Sequence, residues 1–560
     1  MIKGISRQMR FFTDFLSKKD NPEQKDLSVL FIVFGFAFFQ FLGRVPLIEP
    51  DEGRYAEIPR EMLELGDFIT PYLNYVKYFE KPPLHYWLNV LSFRIFGMNE
   101  FAARFPGALM GLLTVILTYH VGRRLFGRRE GLLAAIILGT SIGFMGGARI
   151  DITDMTLTCT LSAALAFFIV AARKGENRKG IYYYLFYLCS ALAVLAKGLI
   201  GIVFPGAIIF LYLLSTRNWR ILKEMRLLSG ISLFLIVCAP WFILVTLKNP
   251  EFPRFFFIRE HFERFTTTVH HRNKGIWFFV PVLLVSMLPW SLLIPGALRG
   301  VWRERHSSVG EARIFLFIWA SFIFIFFSLS SSQLEPYILP ILPALALLMG
   351  SAYARFSETV SPPVKIQCYT VSAILIIGGL GIICYPHLAS RPGLTTFGAA
   401  LIGALLLLEG IITLRNISRT PLLLFTGLIL CSYLATALVP CLVLEGMAKS
   451  RSLKELGLII RENADNSALV ASFGLLQGLP FYAKRRVVVV GDPGEAEFGS
   501  QQGDNSAWFI DLNRFASLWD SPRQVFTVLS RGELAMLQGV LRTTPRILGE
   551  KGKNILVTNR

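Results

Sequence analysis

Cysteine is scarce in this sequence, with seven residues among 560. All seven lie within or beside apolar runs, and none follows residue 450. That usage suggests neither a disulfide framework nor a thiolate metal site; the cysteines read as small apolar packers. Acid is also in short supply: 38 Asp and Glu stand against 57 Lys and Arg, a formal net charge of +19. In a soluble protein such a surplus would point to nucleic acid, but no zinc-finger spacing or basic amphipathic helix supports that partner. There is no P-loop, no GxGxxG after a strand and no DxD flanked by soluble α/β structure, so neither a nucleotide cofactor nor a nucleotide-sugar donor is expected. No internal repeat or low-complexity segment stands out, which argues against an inverted-repeat transporter. Residues 1–27 are basic, and the first apolar run, 28–43, ends in Gly43-Arg44 without a small-residue cleavage pattern. The first span is therefore expected to be retained.

What the chain has in quantity is apolar surface. Hydrophobic residues make up 53%, 47 of them Phe, and the mean hydropathy is +0.52. Charge is confined to short clusters between long apolar runs, the pattern of a polytopic membrane protein. Spans are predicted near 28–44, 103–121, 131–148, 155–172, 181–196, 199–215, 227–246, 276–297, 313–329, 337–354, 366–385, 395–413 and 421–444, about thirteen in all. Alternate loops carry the basic clusters, for example Arg123, Arg124, Arg128 and Arg129, then Arg173, Lys174, Arg178 and Lys179, then Arg217, Arg220, Lys223 and Arg226. The positive-inside rule puts these loops and the N-terminus in the cytoplasm. The loop 45–102, the turn 149–154, the Lys197-Gly198 break and the loop 247–275 then face outward. Within the first of these, 84–97 is apolar but short and is expected to lie on the membrane as an interfacial helix. Residues 54–65 are a second candidate, with Pro59 in the first turn where its missing N–H is harmless. From about 450 the character changes. Strand-like runs at 468–474, 486–491, 524–529 and 554–558, with helical stretches near 452–463 and 531–541, predict a small outward-facing α/β domain. The expected fold is an all-α polytopic membrane domain over 28–449, preceded by a cytoplasmic segment and followed by α/β structure over 450–560.

The first outward loop holds the chemistry. Glu49, Asp51 and Glu52 follow the first span directly, and carboxylates held at a membrane surface are costly without a partner or a task. Asp51, Arg54, Tyr55, Tyr78, Glu80 and Lys81 fall within some thirty residues, bracketed by Pro50 and by Pro82-Pro83, which stiffen the backbone around Glu80 and Lys81. A solvated loop is the plain alternative for any one of these acids. Lys197 lies at the break between two apolar runs, where it must find a partner or snorkel to the surface.

The strings EPDEGRYAEIPREML, YFEKPPL and FAARFPG, all within residues 48–107, resemble the bacterial aminoarabinose transferases that modify lipid A. More broadly they resemble the GT-C membrane glycosyltransferases, which include the protein O-mannosyltransferases. Weaker echoes follow in order: Asp154 in ITDMTLT, AVLAKGLIG, PWF, FFFIREHFERF and PYILPILPALALLM. The resemblance implies a GT-C-like fold and an inverting transfer of a monosaccharide, such as 4-amino-4-deoxy-L-arabinose, from an undecaprenyl-type phosphate carrier. The acceptor it implies is lipid A, another glycolipid or a protein, on the periplasmic face of the bacterial inner membrane. It makes Asp51 the leading catalytic acid, with Glu52 beside it, and Asp154 the second acid, with Asp151 as a rival. Lys81, Arg54, Lys197 and Arg264 match the cations around the carrier phosphate, and Tyr55, Tyr78 and Tyr337 match aromatic or hydroxyl contacts. Glu80 and His261 match a metal pair that would take a divalent ion such as zinc. Two departures stand out: Gln333 occupies the place of a family Lys before PYILP, and the tail shows no recognisable family string. A protein O-glycosyltransferase and a lipid-linked sugar transporter are the competing readings.

Overall fold

The computed structural model describes residues 22–173, 175–263, 274–305, 307, 309–354, 362–388, 396–416, 445–448 and 450–560. Helix α1 (Pro22–Phe39) leads into the first polar loop, which holds α2 (Asp51–Leu65), a hairpin of β1 (Tyr72–Leu73) and β2 (Val76–Lys77), and α3 (Leu84–Phe96). The bundle continues with α4 (Glu100–Leu125), α5 (Arg128–Gly139), α6 (Ile142–Ala148), α7 (Thr153–Ala172), α8 (Lys179–Lys197), α9 (Ile200–Thr216) and α10 (Leu227–Lys248). A π-helical segment, Arg254–Glu263, precedes α11 (Phe279–Ser286), α12 (Ile294–Arg303), α13 (Gly310–Leu329), α14 (Leu342–Tyr353), α15 (Pro362–Leu388) and α16 (Thr396–Asn416). Among the described residues seven helices are long and apolar enough to cross a membrane, or up to eight if one bent pair counts as a span. The chain is thus a multi-pass membrane protein. Helical structure stands at every predicted span that falls among the described residues; the span expected at 421–444 lies outside them.

Two predicted spans are broken. The run at 131–148 becomes α5 and α6, bent by 67°. The hydroxyls of Thr140 and Ser141 donate to the carbonyls of Ile136 and Ile137 at 2.6 Å; Ile136 also keeps the Thr140 amide, whereas the Ser141 amide turns to Leu138 and its hydroxyl takes over at Ile137. The run at 276–297 becomes α11, a 3-10 turn at Trp290–Leu293 and the start of α12. Pro289, at the break, has no N–H to continue a helix.

Helix α7 is the centre of the bundle, with 89% of its apolar window buried. Its Thr, Ser, Cys and Ala side chains let neighbouring backbones come close, which is how helices associate where no water drives them together. The same device joins α4 and α5: a Cβ on Gly122 would stand 2.7 Å from the Gly131 Cα.

Helix α3 forms where the interfacial helix was expected. Helix α2 starts earlier than predicted, at Asp51, so Pro59 lies inside it rather than in its first turn. A proline there leaves the carbonyl four residues back without its helical donor. That carbonyl belongs to Tyr55, and the buried Asn89 side chain of α3 donates to it at 3.2 Å.

The tail folds as expected for its main strands, with α17 (Lys454–Asn463), β3 (Leu469–Phe473), α18 (Leu479–Ala483), β4 (Val488–Val490), β5 (Phe509–Ile510), α19 (Leu512–Trp519), β6 (Val525–Ser530), α20 (Arg531–Gln538), β7 (Arg546–Lys551) and β8 (Asn554–Thr558). The sheet order is β5-β4-β3-β6-β8-β7. The first four strands are parallel and the last two antiparallel. Alternation along β6 feeds two cores: Val525 and Leu529 pack with Phe515 and Trp519, while Phe526 and Val528 pack with Leu456 and Ile460.

This domain sits on the first loop. Asn74, at the tip of the β1–β2 hairpin, takes both backbone groups of Val487, donating at 2.7 Å and accepting at 3.0 Å. Tyr482 accepts from the Leu47 amide at 2.8 Å, and Lys454 pairs with Glu100 at 2.7 Å. Glu49 Oε1 accepts the Gly478 amide at 2.7 Å, while Oε2 is buried with no hydrogen-bond partner among the described residues. Burial pushes the Glu49 carboxyl up to about 8, against the pull of the Gly478 and Gln477 amides and of Arg54.

A carboxyl whose value is raised in the folded state favours that state while it stays protonated. The contribution is complete below the ordinary value of 4.5 and is lost as the pH rises to about 8. The melting temperature of the purified protein is therefore expected to fall more steeply between about pH 5 and 8 than that of Glu49→Gln. Parallel pH profiles for the two proteins would remove Glu49 from this role.

Candidate active site at one end of the helix bundle

Helices α7 and α8 are consecutive and antiparallel, so the start of one and the end of the other share an end of the bundle. Asp154 is in the first turn of α7, and Lys197 is the last residue of α8. Each charge sits where its helix dipole favours it. The two form a buried ion pair through Lys197 Nζ and Asp154 Oδ1. Tyr337, in the 3-10 turn before α14, closes the group, with its ring centroid 4.5 Å from Lys197 Nζ. A cation over an aromatic face gains more when water is excluded.

Helix α2 brings the next set. Arg54 is buried and pairs with Asp51 one turn back and with Glu495, which comes from the loop after β4 in the tail domain. The Asp51 side chain keeps 54% of its exposure, the most open acid of the group. Tyr55 joins this set to the first: its hydroxyl feels the charges of Arg54, Asp51 and Asp154, although burial dominates and pushes its ionisation up. Tyr78 and Tyr86 are buried beside Arg54, Glu80 and Glu495, and burial likewise holds both phenols neutral. Their hydroxyls, with Arg54 Nε, have no hydrogen-bond partner among the described residues. Buried polar groups are seldom left so, and here they are hydrogen-bonding capacity held within a charged cluster.

The Phe79-Glu80-Lys81-Pro82 string is anchored by its aromatic residue. Phe79 packs against Phe252, Phe255 and Phe498 at centroid distances of 5.3, 6.4 and 5.9 Å. Lys81 Nζ donates to the Glu80 carbonyl at 2.9 Å and lies 3.8 Å from Glu260 in the π-helical segment. Burial raises the Glu80 carboxyl above the ordinary range, and the neighbouring Glu260 and Glu495 raise it further. Acids from three separate segments therefore crowd one place, with Arg54 and Lys81 among them.

Several expectations change. Glu52 is not available for catalysis. It is buried and takes two bonds from Arg104 at 2.7 and 2.8 Å, with further bonds from the Ile48 and Asp151 amides at 3.0 Å. Asp151, the rival of Asp154, is also locked, held by His85 at 2.9 Å and by Asn89 at 3.0 and 3.1 Å. Gln333, in the place of the family Lys, accepts from the Lys274 amide at 3.0 Å and donates to the Ser328 carbonyl at 3.2 Å, so it ties a turn rather than supplying charge. Arg264 and the side chain of His261 lie outside the described residues. Among those described, no three His, Cys, Asp or Glu side chains are arranged to hold a metal. Glu80 is one donor where zinc takes three or four, and no metal step follows from it.

Sequence reading missed Glu260, Glu495, Tyr86, Arg104 and Arg149. Both arginines are buried and serve the end of α1: Arg149 donates to the carbonyls of Phe38 and Gln40 at 3.3 and 2.6 Å, and Arg104 to those of Leu42 and Pro46 at 3.0 Å. A signal was present, since an arginine inside an apolar run demands acceptors. Glu495 carried only a turn signal, Gly491-Asp492-Pro493-Gly494, directly before it.

Comparison with known proteins finds relatives over most of the chain. Residues 80–244 match the family model described as dolichyl-phosphate-mannose-protein mannosyltransferase. Residues 457–559 match the aminoarabinose transferase C-terminal domain, which corrects the reading of the tail as lacking family character. The undecaprenyl phosphate-alpha-4-amino-4-deoxy-L-arabinose arabinosyl transferase of Edwardsiella ictaluri is 30% identical over 505 residues, 87% of this chain and 89% of the relative. The enzyme of that name from Pseudomonas aeruginosa strain LESB58 is 36% identical over 332 residues, 59% of each chain. The crystal structure of ArnT from Cupriavidus metallidurans bound to undecaprenyl phosphate aligns with a TM-score of 0.83 at 29% identity, covering 95% of this chain and 98% of that one.

The floor of the site gives a test of its own. Breaking a buried ion pair from one side costs about 3–5 kcal/mol, whereas replacing both partners costs much less. Arg104→Met alone is expected to lower the melting temperature sharply, and the double variant Arg104→Met/Glu52→Leu to recover part of the loss. A double variant as unstable as the single one would show that the charges are not coupled as described.

Proposed function

We infer the reaction from the family to which the chain belongs, the undecaprenyl phosphate–aminoarabinose arabinosyl transferases of the GT-C membrane glycosyltransferases. We propose that it transfers 4-amino-4-deoxy-L-arabinose from a polyprenyl-phosphate carrier to a phosphate of lipid A or a related glycolipid. The observation that carries this reading is the meeting of Glu80, Glu260 and Glu495 beside Arg54 and Lys81, next to the Asp154–Lys197–Tyr337 group. The cations suit a phosphate that gains charge as it leaves. The surplus of carboxylates suits a sugar that carries an ammonium group; a neutral hexose would leave those carboxylates repelling one another.

In the proposed step an oxygen of the acceptor phosphate bonds to the anomeric carbon as the bond from that carbon to the carrier phosphate breaks, inverting the configuration. The electron pair goes to the carrier phosphate, and Lys81 and Arg54 stabilise the charge that develops there. The acceptor oxygen is already ionised, so Asp51 removes no proton; it acts through Arg54, holding the guanidinium that orients the acceptor phosphate. Asp154, held by Lys197, keeps a fixed negative charge near the positive character that builds at the anomeric carbon. Tyr55, Tyr78 and Tyr337 line the sugar position. The basic loops at the far end of the bundle support a cytoplasmic assignment for that end. The site and the tail domain then face the periplasm of a bacterial inner membrane, away from ATP, where a lipid-linked donor is the fitting fuel.

The mannosyltransferase match over residues 80–244 makes a protein acceptor the second reading. Labelled polyprenyl-phosphate aminoarabinose, supplied to the reconstituted enzyme with lipid A and with membrane protein, is expected to label the glycolipid fraction; label in protein would reverse the assignment. Asp51→Asn is expected to lower turnover on the order of 10²-fold, the size of a lost positioning contact, while leaving the melting temperature and carrier binding in place. Lys81→Ala is expected to lower it on the order of 10²-fold. Full activity in Asp51→Asn would remove that residue from the reaction.

A further inference from the structure

The end of the bundle away from the catalytic groups holds a groove that the transfer reaction does not use. Helix α8 separates the two places. Lys197 is its last residue, and Arg178 stands just before its first, roughly 28 Å away at 1.5 Å per residue. The groove holds about 460 Å³ between α1, α4, α7 and α8, and its walls include Leu27, Leu113, Leu117 and Phe167. Leu113 and Ile181 on its flanks are exposed, so the groove opens sideways to the surface that meets hydrocarbon. Its rim is polar, with Arg178, His120 and Tyr182, the last two linked at 3.3 Å.

Three cations around this end of the groove are already met by acids. Arg123 pairs with Glu23, Arg124 with Glu176 and Lys179 with Glu224. Arg178 is exposed, and its guanidinium has no partner among the described residues. Glu23 lies 3.8 Å from His120 Nδ1, but its charge is already met by Arg123. An unpaired cation at headgroup depth, above an apolar groove that opens to the bilayer, is complementary to a molecule with a phosphate at one end and a hydrocarbon chain below it.

We propose that this groove seats an anionic glycerophospholipid of the leaflet opposite the catalytic site. Its phosphate lies on Arg178 with His120 and Tyr182 beside it, and one acyl chain runs along Leu113, Leu117 and Phe167. The occupant is a lipid rather than a soluble anion because most of the groove wall is apolar and only its rim is charged. It is anionic because a zwitterionic headgroup brings its own cation to a rim that already has one. The assignment stands on α1, α4, α7 and α8 and is independent of the sugar or acceptor used at the other end.

The test uses the full-length protein, stripped of lipid in detergent and titrated with phosphatidylglycerol, phosphatidylcholine or inorganic phosphate. Bound lipid is read by native mass spectrometry. Phosphatidylglycerol is expected to be retained in preference to phosphatidylcholine. Arg178→Gln is expected to weaken that retention about fivefold. Leu113→Trp fills the groove without altering charge and should weaken retention of phosphatidylglycerol as well, while Arg303→Gln, an exposed cation on α12, should not. Melting curves establish that each variant is folded. The proposal fails if phosphatidylcholine is held equally well, if Arg303→Gln loses as much lipid as Arg178→Gln, or if Leu113→Trp retains lipid like the parent. It also fails if inorganic phosphate stabilises the protein as strongly as the lipid does, which would mark an adventitious ion only.

Discussion

Arg104 and Glu52 meet in a nearly water-free place, and neither could stay charged there without the other. Their pairing organises the catalytic end of the bundle. Arg104 also gathers the carbonyls of Leu42, Val45 and Pro46, which fixes how the chain leaves α1. Glu52 receives the amide of Ile48 at one edge and that of Asp151 at the other. A single carboxylate thus sets the start of α2 and the approach to α7. Asp51 is the residue before Glu52, and Asp154 is three residues after Asp151. The two acids that face the site are held through neighbours that do not.

The second layer rests on this one. His85 and Asn89 of α3 fasten Asp151, and Asn89 also supplies the donor that Pro59 withdraws from α2. One asparagine thereby repairs a break in one helix while positioning the loop before another. The outcome is a polar network in which the carboxylates of Glu52 and Asp151 are both fully held, beneath a cluster in which the hydroxyls of Tyr78 and Tyr86 and Arg54 Nε have no hydrogen-bond partner among the described residues. Satisfied groups hold the frame, and unsatisfied ones mark where a substrate adds its own donors and acceptors.

How much of this could be read from the sequence depended on the range of each signal. Span positions were legible because twenty apolar residues are a local property. Their bends at Thr140 and Pro289 were not, because an apolar run reads as one continuous span whether or not its helix bends, and the hydroxyls of Thr140 and Ser141 fit a straight helix as well as a bent one. Asp51, Arg54, Glu80, Lys81, Asp154, Lys197 and Tyr337 were legible through strings shared with a family, and the alternation of loops put them at a common end. Glu52 was misread because a carboxylate beside Asp51 looks equivalent until Arg104, 52 residues on, is seen to claim it. In the tail, β5 is two residues long and β7 is mostly polar, so neither shows the alternation that betrays a half-buried strand. Glu260 stood inside the FFFIREHFERF string beside His261, and Glu495 directly after a turn signal, but neither position shows which part of the chain folds against it.

The parallel strands of the tail run outward from β3 to β5 and then reverse to β6, the order in which open α/β sheets place ligands beyond their carboxyl ends. Here that edge meets the membrane domain instead: the loop after β3 gives Gly478 to Glu49, and the loop after β4 gives Glu495 to Arg54. The charged cluster is therefore finished late in the life of each new chain. While a ribosome is still making the last hundred or so residues, Arg54 already has Asp51 but must wait for Glu495. The ion pair that joins the tail to the first loop therefore forms only when the final domain has folded against that loop.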